Sequence, residues 1–522
     1  MMKNRATRRA LTLTLSQRER ELNSSLSRSE RELNSSLSRS ERELNSSLSL
    51  WERAGVRASV LLGAAAALTA CAVGPDYHRP DVATPVAFKE AKAAEGWLPA
   101  APADALDRGD WWTLFGDETL NGLVSQVQVS TQNVAAAVAS YAQARALVAQ
   151  QRASLFPSLA LSGSAKRSGG AGSSTSLGGT GNSLSLAAGA SWEPDVWGRL
   201  SRTVEAAQAS AQASEADLAA ARLSAQGELV TNYFSLRDAD TELDLLATTI
   251  EGYERALVIT SNRYDAGIAA KTDVLQAQTQ LASARADRVS LAGTREQLEH
   301  AIAVLVGKAP ADFTLAKAAW NMNVPAVPLA LPSALLQRRP DIASAERAVA
   351  AANAQIGIQR SAYFPSLSLS ASYGTAGSRV PDLFNASNSL WSLGLSVAQT
   401  IFDAGATRAA VQGAEAGRDV AIARYRQTVL AAFQAVEDQL STSRALAEQA
   451  ELRKTASQAA DLTEQQLLNR YKQGQVSYTD VVTAQASALS ARRTLSQLAS
   501  SRQAAAVALI QGLGGGWHIE TP

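Results

Sequence analysis

Asn262-Arg263-Tyr264-Asp265-Ala266-Gly267 is the one break in a run that otherwise reads as helix from Arg199 to Gly307. The run holds no proline and is mostly Ala, Gln, Leu, Ser, Asp, Glu and Arg. Upstream of the break, Leu229, Leu236, Leu243, Ile250 and Leu257 recur every seven residues. Asn232, Ala239, Leu246 and Tyr253 fall between them, so the seam is apolar from Ala239 onward and Asn232 is its polar exception. Downstream, Ala277, Ala284, Leu291, Leu298 and Leu305 step by seven again. Gly267 can adopt the positive φ that ends a helix. The expectation is a hairpin: a helix over 199–262 running out roughly 90 Å at ~1.5 Å per residue, a tight turn, and a helix returning over 268–307.

The pattern occurs twice. NRYDAGIAAKTDVLQAQTQL from Asn262 is echoed by NRYKQGQVSYTDVVTAQASAL from Asn469, 207 residues later. Leu155-Phe156-Pro157-Ser158-Leu159 is echoed by Tyr363-Phe364-Pro365-Ser366-Leu367 at an offset of 208. Two separated matches at nearly one offset indicate an internal duplication, and a period this long makes each copy half a molecule. The first copy spans 118–308, the second 333–513, and the proline-bearing stretch 309–332 connects them. A helix is expected from about Glu118 to Leu155, and its counterpart from about Ser333 to Ala362. In the second copy the long helices are expected over 406–473 and 475–513, with Gly474 at the turn and a tail over 514–522.

Each hairpin follows two alternating segments, at about 157–165 and 183–193, and again at about 365–374 and 390–399. Leucines alternate with serine, alanine and glycine, giving one apolar and one small or polar face of the length that spans a membrane as barrel wall. Only four such strands occur, and an open sheet edge does not persist in hydrocarbon. Closure therefore demands further copies of the chain. The narrow, alanine-rich helical seams also call for lateral neighbours. The fold class is mainly α with membrane β strands: an oligomeric tube, part β-barrel and part helical barrel.

The amino end stands apart. Residues 1–70 carry 12 of the 49 Lys/Arg and 7 of the 48 Asp/Glu, so the net charge of +1 conceals a mildly acidic body. RELNSSLSRSE occurs at Arg20 and again at Arg31, with a partial third copy from Arg42. This is low-complexity material, read as translation from a misplaced start, with a start near Val56 leaving VRASVLLGAAAALTAC as a compact secretion signal. That segment ends at Cys71, the only cysteine, which excludes an intrachain disulfide. From 71 to 117 the chain is an extended, proline-rich arm, closed by the aromatic anchor Trp111, Trp112, Leu114 and Phe115.

Together, LTACAVGPDYHRP (68–80), WWTLFGDETL (111–120), SWEPDVWGRL (191–200), RRPDIASAE (338–346), both FPSL strands and both NRYxxG turns resemble the TolC-like outer-membrane efflux channels. The likeness covers about 72–513 and is specifically to the lipoprotein branch serving resistance-nodulation-division (RND) pumps. It implies a homotrimer with a 12-stranded β-barrel continuous with a periplasmic α-helical barrel. It implies an outer-membrane channel for passive export of small molecules, working with a periplasmic adaptor (membrane fusion) protein and an inner-membrane RND transporter. It also implies a lipobox, with a covalent lipid on Cys71 and, since Ala72 rather than aspartate follows, an outer-membrane destination.

By the same resemblance the closed entrance lies at the hairpin tips, where Arg263, Tyr264, Asp265, Asp273, Arg470, Tyr471, Lys472 and Asp480 are the candidate gate residues. Gly267 and Gly474 shape the turns that an adaptor would grasp. Asp273 and Asp480 also read as caps of the return helices, and Tyr264 and Tyr471 as packing residues or gate contacts. No Walker, dinucleotide or metal-ligand motif occurs, no basic stripe suits nucleic acid, and His78, His300 and His518 lie in unrelated segments. No catalytic residue and no cofactor besides the lipid is expected. Type I protein secretion is the alternative within channels. A coiled-coil adaptor lipoprotein is disfavoured by the duplicated hairpin.

Overall fold

A computed structural model describes residues 72–90, 110–169, 181–325 and 338–516. The predicted low-complexity extension, the signal segment, Cys71, Ser333 and residues 517–522 lie outside them.

The order of the principal elements repeats. In the first half, α1 (Glu118–Ser130) and α2 (Gln132–Ala153) lead to strands β1 (Ser158–Ser168) and β2 (Gly181–Trp192). The long helix α3 (Arg199–Asp265) and its return α4 (Lys271–Leu305) follow. In the second half, α5 (Pro340–Arg360) precedes β3 (Ser366–Gly377), β4 (Ser389–Ala398), long α6 (Ala406–Lys472) and returning α7 (Tyr478–Gly512). The long helices have 67 residues each and the returning ones 35 each. The hairpin arms are therefore unequal, about 100 Å against about 50 Å at 1.5 Å per residue. Helix α2 packs along α3, and α5 lies between α3 and α6.

Each long helix starts where an aspartate upstream satisfies its free amide groups. Asp195 accepts from the N–H groups of Leu200 (2.8 Å) and Ser201 (2.6 Å). Asp403 accepts from the N–H groups of Gly405 (2.9 Å) and Thr407 (2.7 Å) and from the Thr407 hydroxyl. These bonds, the Thr407 hydroxyl first, hold its carboxyl below the usual range.

The helix expected from Glu118 to Leu155 is broken at Thr131, a correction to the sequence reading. Thr131 takes extended backbone angles, and its buried hydroxyl donates to the carbonyls of Leu305 (2.6 Å) and Val127 (3.1 Å). It satisfies a free carbonyl at the end of α4. The break lets α1 sink Leu120, Val124 and Val127 into the core while α2 follows α3 with most of its surface exposed.

The main core sits at mid-length. Trp111, Trp112 and Phe115 pack with Leu229, Tyr233, Phe234 and Leu236 of α3, Tyr425 and Val429 of α6, and Val507 and Ile510 of α7. The predicted seam is buried at Leu229, Leu236, Leu243, Leu246 and Ile250, while Asn232 and Leu257 are half-buried. Each fully buried leucine contributes about 1.5–3 kcal/mol. The connector is strapped to this core by ions: Arg237 donates to the Ala316 carbonyl (2.8 Å) and pairs with Asp240 (3.1 Å). Arg295 pairs with both Asp240 (3.0 Å) and Glu299 (2.7 Å).

The arm is pinned along the helices. The Val73 N–H donates to the Trp197 carbonyl (3.1 Å), and Gly74 lies so close to Gly357 that a Cβ there would stand 2.5 Å from its Cα. Asp76 pairs with Arg202 (2.8 Å), the Tyr77 hydroxyl donates to Glu346 (2.9 Å), and Glu90 pairs with Arg444 (2.7 Å).

The strands form one antiparallel sheet in the order β1-β2-β3-β4. Register sorts its faces. One face carries Leu159, Leu161, Leu186, Tyr373, Trp391, Leu393, Leu395 and Val397, all exposed. The other carries serines whose hydroxyls pair across strands: Ser158 with Ser191 (2.8 Å), Ser164 with Ser185 (2.9 Å), Ser368 with Ser396 (2.7 Å) and Ser372 with Ser392 (2.9 Å). Strands β1 and β4 are the sheet's edges.

Candidate functional site

The two hairpin tips share their backbone chemistry. Gly267 takes φ +73°, its N–H donates to the Tyr264 carbonyl (2.8 Å), and the Ile268 N–H donates to that of Arg263 (2.8 Å). Gly474 takes φ +75°, with its N–H on the Tyr471 carbonyl (2.9 Å) and the Gln475 N–H on that of Arg470 (2.9 Å). This paired bonding closes a helix around a left-handed residue, which glycine adopts without a Cβ clash.

The side chains differ. Tyr471 is buried against Tyr478, Ala256, Ala277 and Val481, in a small cluster that joins the two hairpins. Arg263 reaches across: its Nη1 donates to the Tyr471 carbonyl (2.9 Å), and its guanidinium lies 4.7 Å from the Tyr471 ring centre. Of the predicted residues, then, the structure joins Arg263 to Tyr471. Arg263 Nε and the Tyr471 hydroxyl are buried with no hydrogen-bond partner among the described residues. Tyr264, Asp265, Arg470 and Lys472 are exposed, as are Gly267 and Gly474.

The aspartates part ways as well. Asp480 completes a capping box with Ser477, its carboxylate accepting from the Ser477 N–H (3.1 Å) while its own N–H donates to Ser477 Oγ (3.3 Å). Asp273 occupies the same position in the first turn of α4, half-buried, but the cap residue there is Ala270 and no side-chain cap bond forms. Asp273 adds, with Tyr471 and Tyr253, to the burial that pushes the Tyr478 hydroxyl up to about 12. Tyr478 therefore stays neutral and serves as packing.

Tyr478 was not among the residues expected from the sequence. The signal for it is the alignment of the two turns, where Ala270-Lys271 in one copy stands opposite Ser477-Tyr478 in the other, and Asp265 opposite Lys472. These are positions at which the otherwise matched turns differ in character.

The outer membrane efflux protein family model matches the chain twice, over 123–308 and 331–515, which are the two halves of the duplication. The chain belongs to the outer membrane efflux protein family. It is 30% identical over 455 residues to the cation efflux system protein CusC of Escherichia coli strain K12, covering 87% of this chain and 98% of that one. It is 30% identical over 472 residues to the pyoverdine export outer membrane protein OpmQ of Pseudomonas aeruginosa, covering 88% and 97%. Among solved structures, the outer-membrane channel OprN aligns with a TM-score of 0.79 at 32% identity, over 86% of this chain and all of that one. As a member of this family the protein is an outer-membrane efflux channel, and the family is not one of enzymes. Among the described residues no helix is long and apolar enough to cross a membrane, and no three His, Cys, Asp or Glu side chains are grouped to hold a metal ion.

Proposed function

We propose that this efflux channel works as a homotrimer, with four strands per copy closing a 12-stranded barrel in the outer membrane and the helices forming a periplasmic tunnel. The observation that carries this is the sheet itself, with an exposed leucine and aromatic face and two unpaired edges. In lipid such a sheet must close on other copies. Exposed apolar residues along the helices, among them Leu275, Val289, Leu430, Leu452 and Leu462, supply lateral surface for neighbours. A periplasmic adaptor and an inner-membrane RND transporter deliver small-molecule cargo, and passage through the channel is passive. A lipid on Cys71 anchors the arm; Ala72, the next residue, lies against Gly198, where the sheet gives way to α3.

The entrance is the ring of tips, and within each copy it is held by the Arg263–Tyr471 contact. At that contact Arg263 Nε and the Tyr471 hydroxyl have no hydrogen-bond partner among the described residues of the copy. Asp265, Arg470 and Lys472 stand free to meet neighbouring copies or the adaptor, and Gly267 and Gly474 keep the turns the adaptor grasps. Single-channel recording tests the entrance: Arg263→Ser is expected to raise conductance well above the parent, and unchanged conductance in an intact trimer would remove the lock from this pair. Native mass spectrometry tests the assembly, where a stable bilayer-inserted monomer would overturn the barrel. Mass analysis of the mature amino terminus tests the anchor, where an unmodified Cys71 thiol would refute it.

A further inference from the structure

The serine face of the sheet carries a single charged side chain among the described residues, Lys166. Its register partner is Ser183, and it follows Ser164, whose hydroxyl meets that of Ser185 at 2.9 Å. The remaining residues of that face on all four strands are Ser, Gly and Ala, with Leu390 as the exception. The neighbouring Arg167 pairs with Asn182 and belongs to the opposite face, with Leu159 and Leu161. Both basic residues sit at the end of β1 far from the helices. The connection over 169–180 has no charged residue in its sequence, and the one over 378–388 holds one of each sign, Arg379 and Asp382. Nothing there cancels Lys166.

We propose that Lys166 forms a ring of positive charge inside the outer mouth of the channel and sets a preference for anions there. This rests on the barrel reading above, in which the apolar face meets lipid and the serine face lines the lumen. A neutral hydroxyl-lined wall neither attracts nor repels ions by charge. A ring of like charges within a low-dielectric wall then dominates the local potential and concentrates counter-ions. Departing anionic cargo is drawn through the mouth, and cationic solutes from outside are hindered. Arg167, one residue away but facing lipid, contributes little to the lumen.

The test places a reporter next to the ring. Ser164→Cys is two residues from Lys166 on the same face, about 7 Å away at ~3.3 Å per strand residue, inside the ~10 Å screening length of 0.1 M salt. Cys71 is the only native cysteine, so the parent protein gives the background. The reporter is treated from outside with membrane-impermeant anionic and cationic thiosulfonates, which reach the outer barrel without passing the entrance. The anionic reagent is expected to react faster, with the preference reversing in Lys166→Glu, unchanged in Arg167→Glu, and fading at high salt. A rate ratio indifferent to Lys166→Glu, or shifted equally by Arg167→Glu, would overturn the ring while leaving the barrel intact. A Ser164→Cys thiol that no aqueous reagent reaches, with Leu161→Cys reactive instead, would show the faces reversed; it would overturn the ring and strike the barrel reading itself.

Discussion

The two tips match in sequence but differ in the contacts their side chains make. Both turns close around a left-handed glycine with the same two backbone bonds. Around those turns, one copy sends Arg263 inward while its counterpart Arg470 is exposed, and one tyrosine, Tyr471, is buried while Tyr264 is 41% exposed. The second tip caps its return helix with Ser477 and Asp480, whereas the first has Ala270 at the cap. The lesson is that duplication preserves what the backbone demands and releases what the surroundings demand. A turn is closed by its own residues, but a side chain is buried only if a neighbour covers it, and the two hairpins present unlike flanks to each other.

The largest effect should separate the tyrosines. Tyr471→Ala empties a buried site and is expected to cost about 3 kcal/mol, read as lost protection of the tip amides in hydrogen exchange. Tyr264→Ala should stay within about 0.5 kcal/mol. Equal losses would show that both tyrosines are covered in the assembled channel and erase the asymmetry. Next come the glycines, where symmetry is the expectation. Gly267→Ala and Gly474→Ala each force an alanine to positive φ at a cost of about 1–2 kcal/mol, seen as matched drops in melting temperature. One tolerated and one disruptive change would mean that the turns are not equivalent.

The caps should give a smaller difference of opposite sign. Ser477→Ala is expected to lose about 1 kcal/mol of helix stability. Ala270→Ser, with Asp273 already in place three residues on, should gain a few tenths to about 1 kcal/mol by building the missing box. Exchange rates of the first amides of α4 and α7 report both. If Ala270→Ser gains nothing, half-buried Asp273 is held elsewhere and cannot turn back to the cap.

The most local effect lies higher on the same hairpins, where α3 meets α7. Burial, with Glu242 nearby, pushes the Asp238 carboxyl up to about 6 although the Ser496 hydroxyl donates to it at 2.5 Å and Arg493 opposes the shift. A carboxyl that holds its proton more tightly when folded stabilises the fold below the ordinary carboxylate range, and that contribution is lost as pH rises through about 6. Amides around Ser496 should therefore exchange more slowly at pH 5 than at pH 7.5 after correction for intrinsic rates, and Asp238→Asn should remove the difference. A pH dependence that survives the substitution would assign it to another group.

Much of the fold was legible because it is periodic. Seven-residue steps announced the seam, and Leu236 and Leu246 are fully buried. Alternation located strands that lie within a few residues of 157–165, 183–193, 365–374 and 390–399. The Trp111, Trp112 and Phe115 anchor packs as expected. The break at Thr131 was not legible, because its cause is a carbonyl of Leu305 far away in sequence. Nor was the tie between Arg237, Asp240, Arg295 and Glu299, since charged residues on a long helix read as solvated face until the connector is laid over them. At the tips, the turn glycines and all eight gate candidates lie at or beside the two turns, yet which tyrosine is buried had no sequence signature of its own.

The sequence by itself determined the duplicated hairpin, the alternating strands and the place of each turn, since period, helix propensity and glycine act through neighbouring residues. Only the tertiary structure decided that Tyr471 and not Tyr264 is enclosed, that Arg263 bridges the repeats, and that Asp238 sits where ionisation is costly. Those outcomes depend on which surfaces meet across roughly 200 residues of chain, and desolvation belongs to the meeting of surfaces.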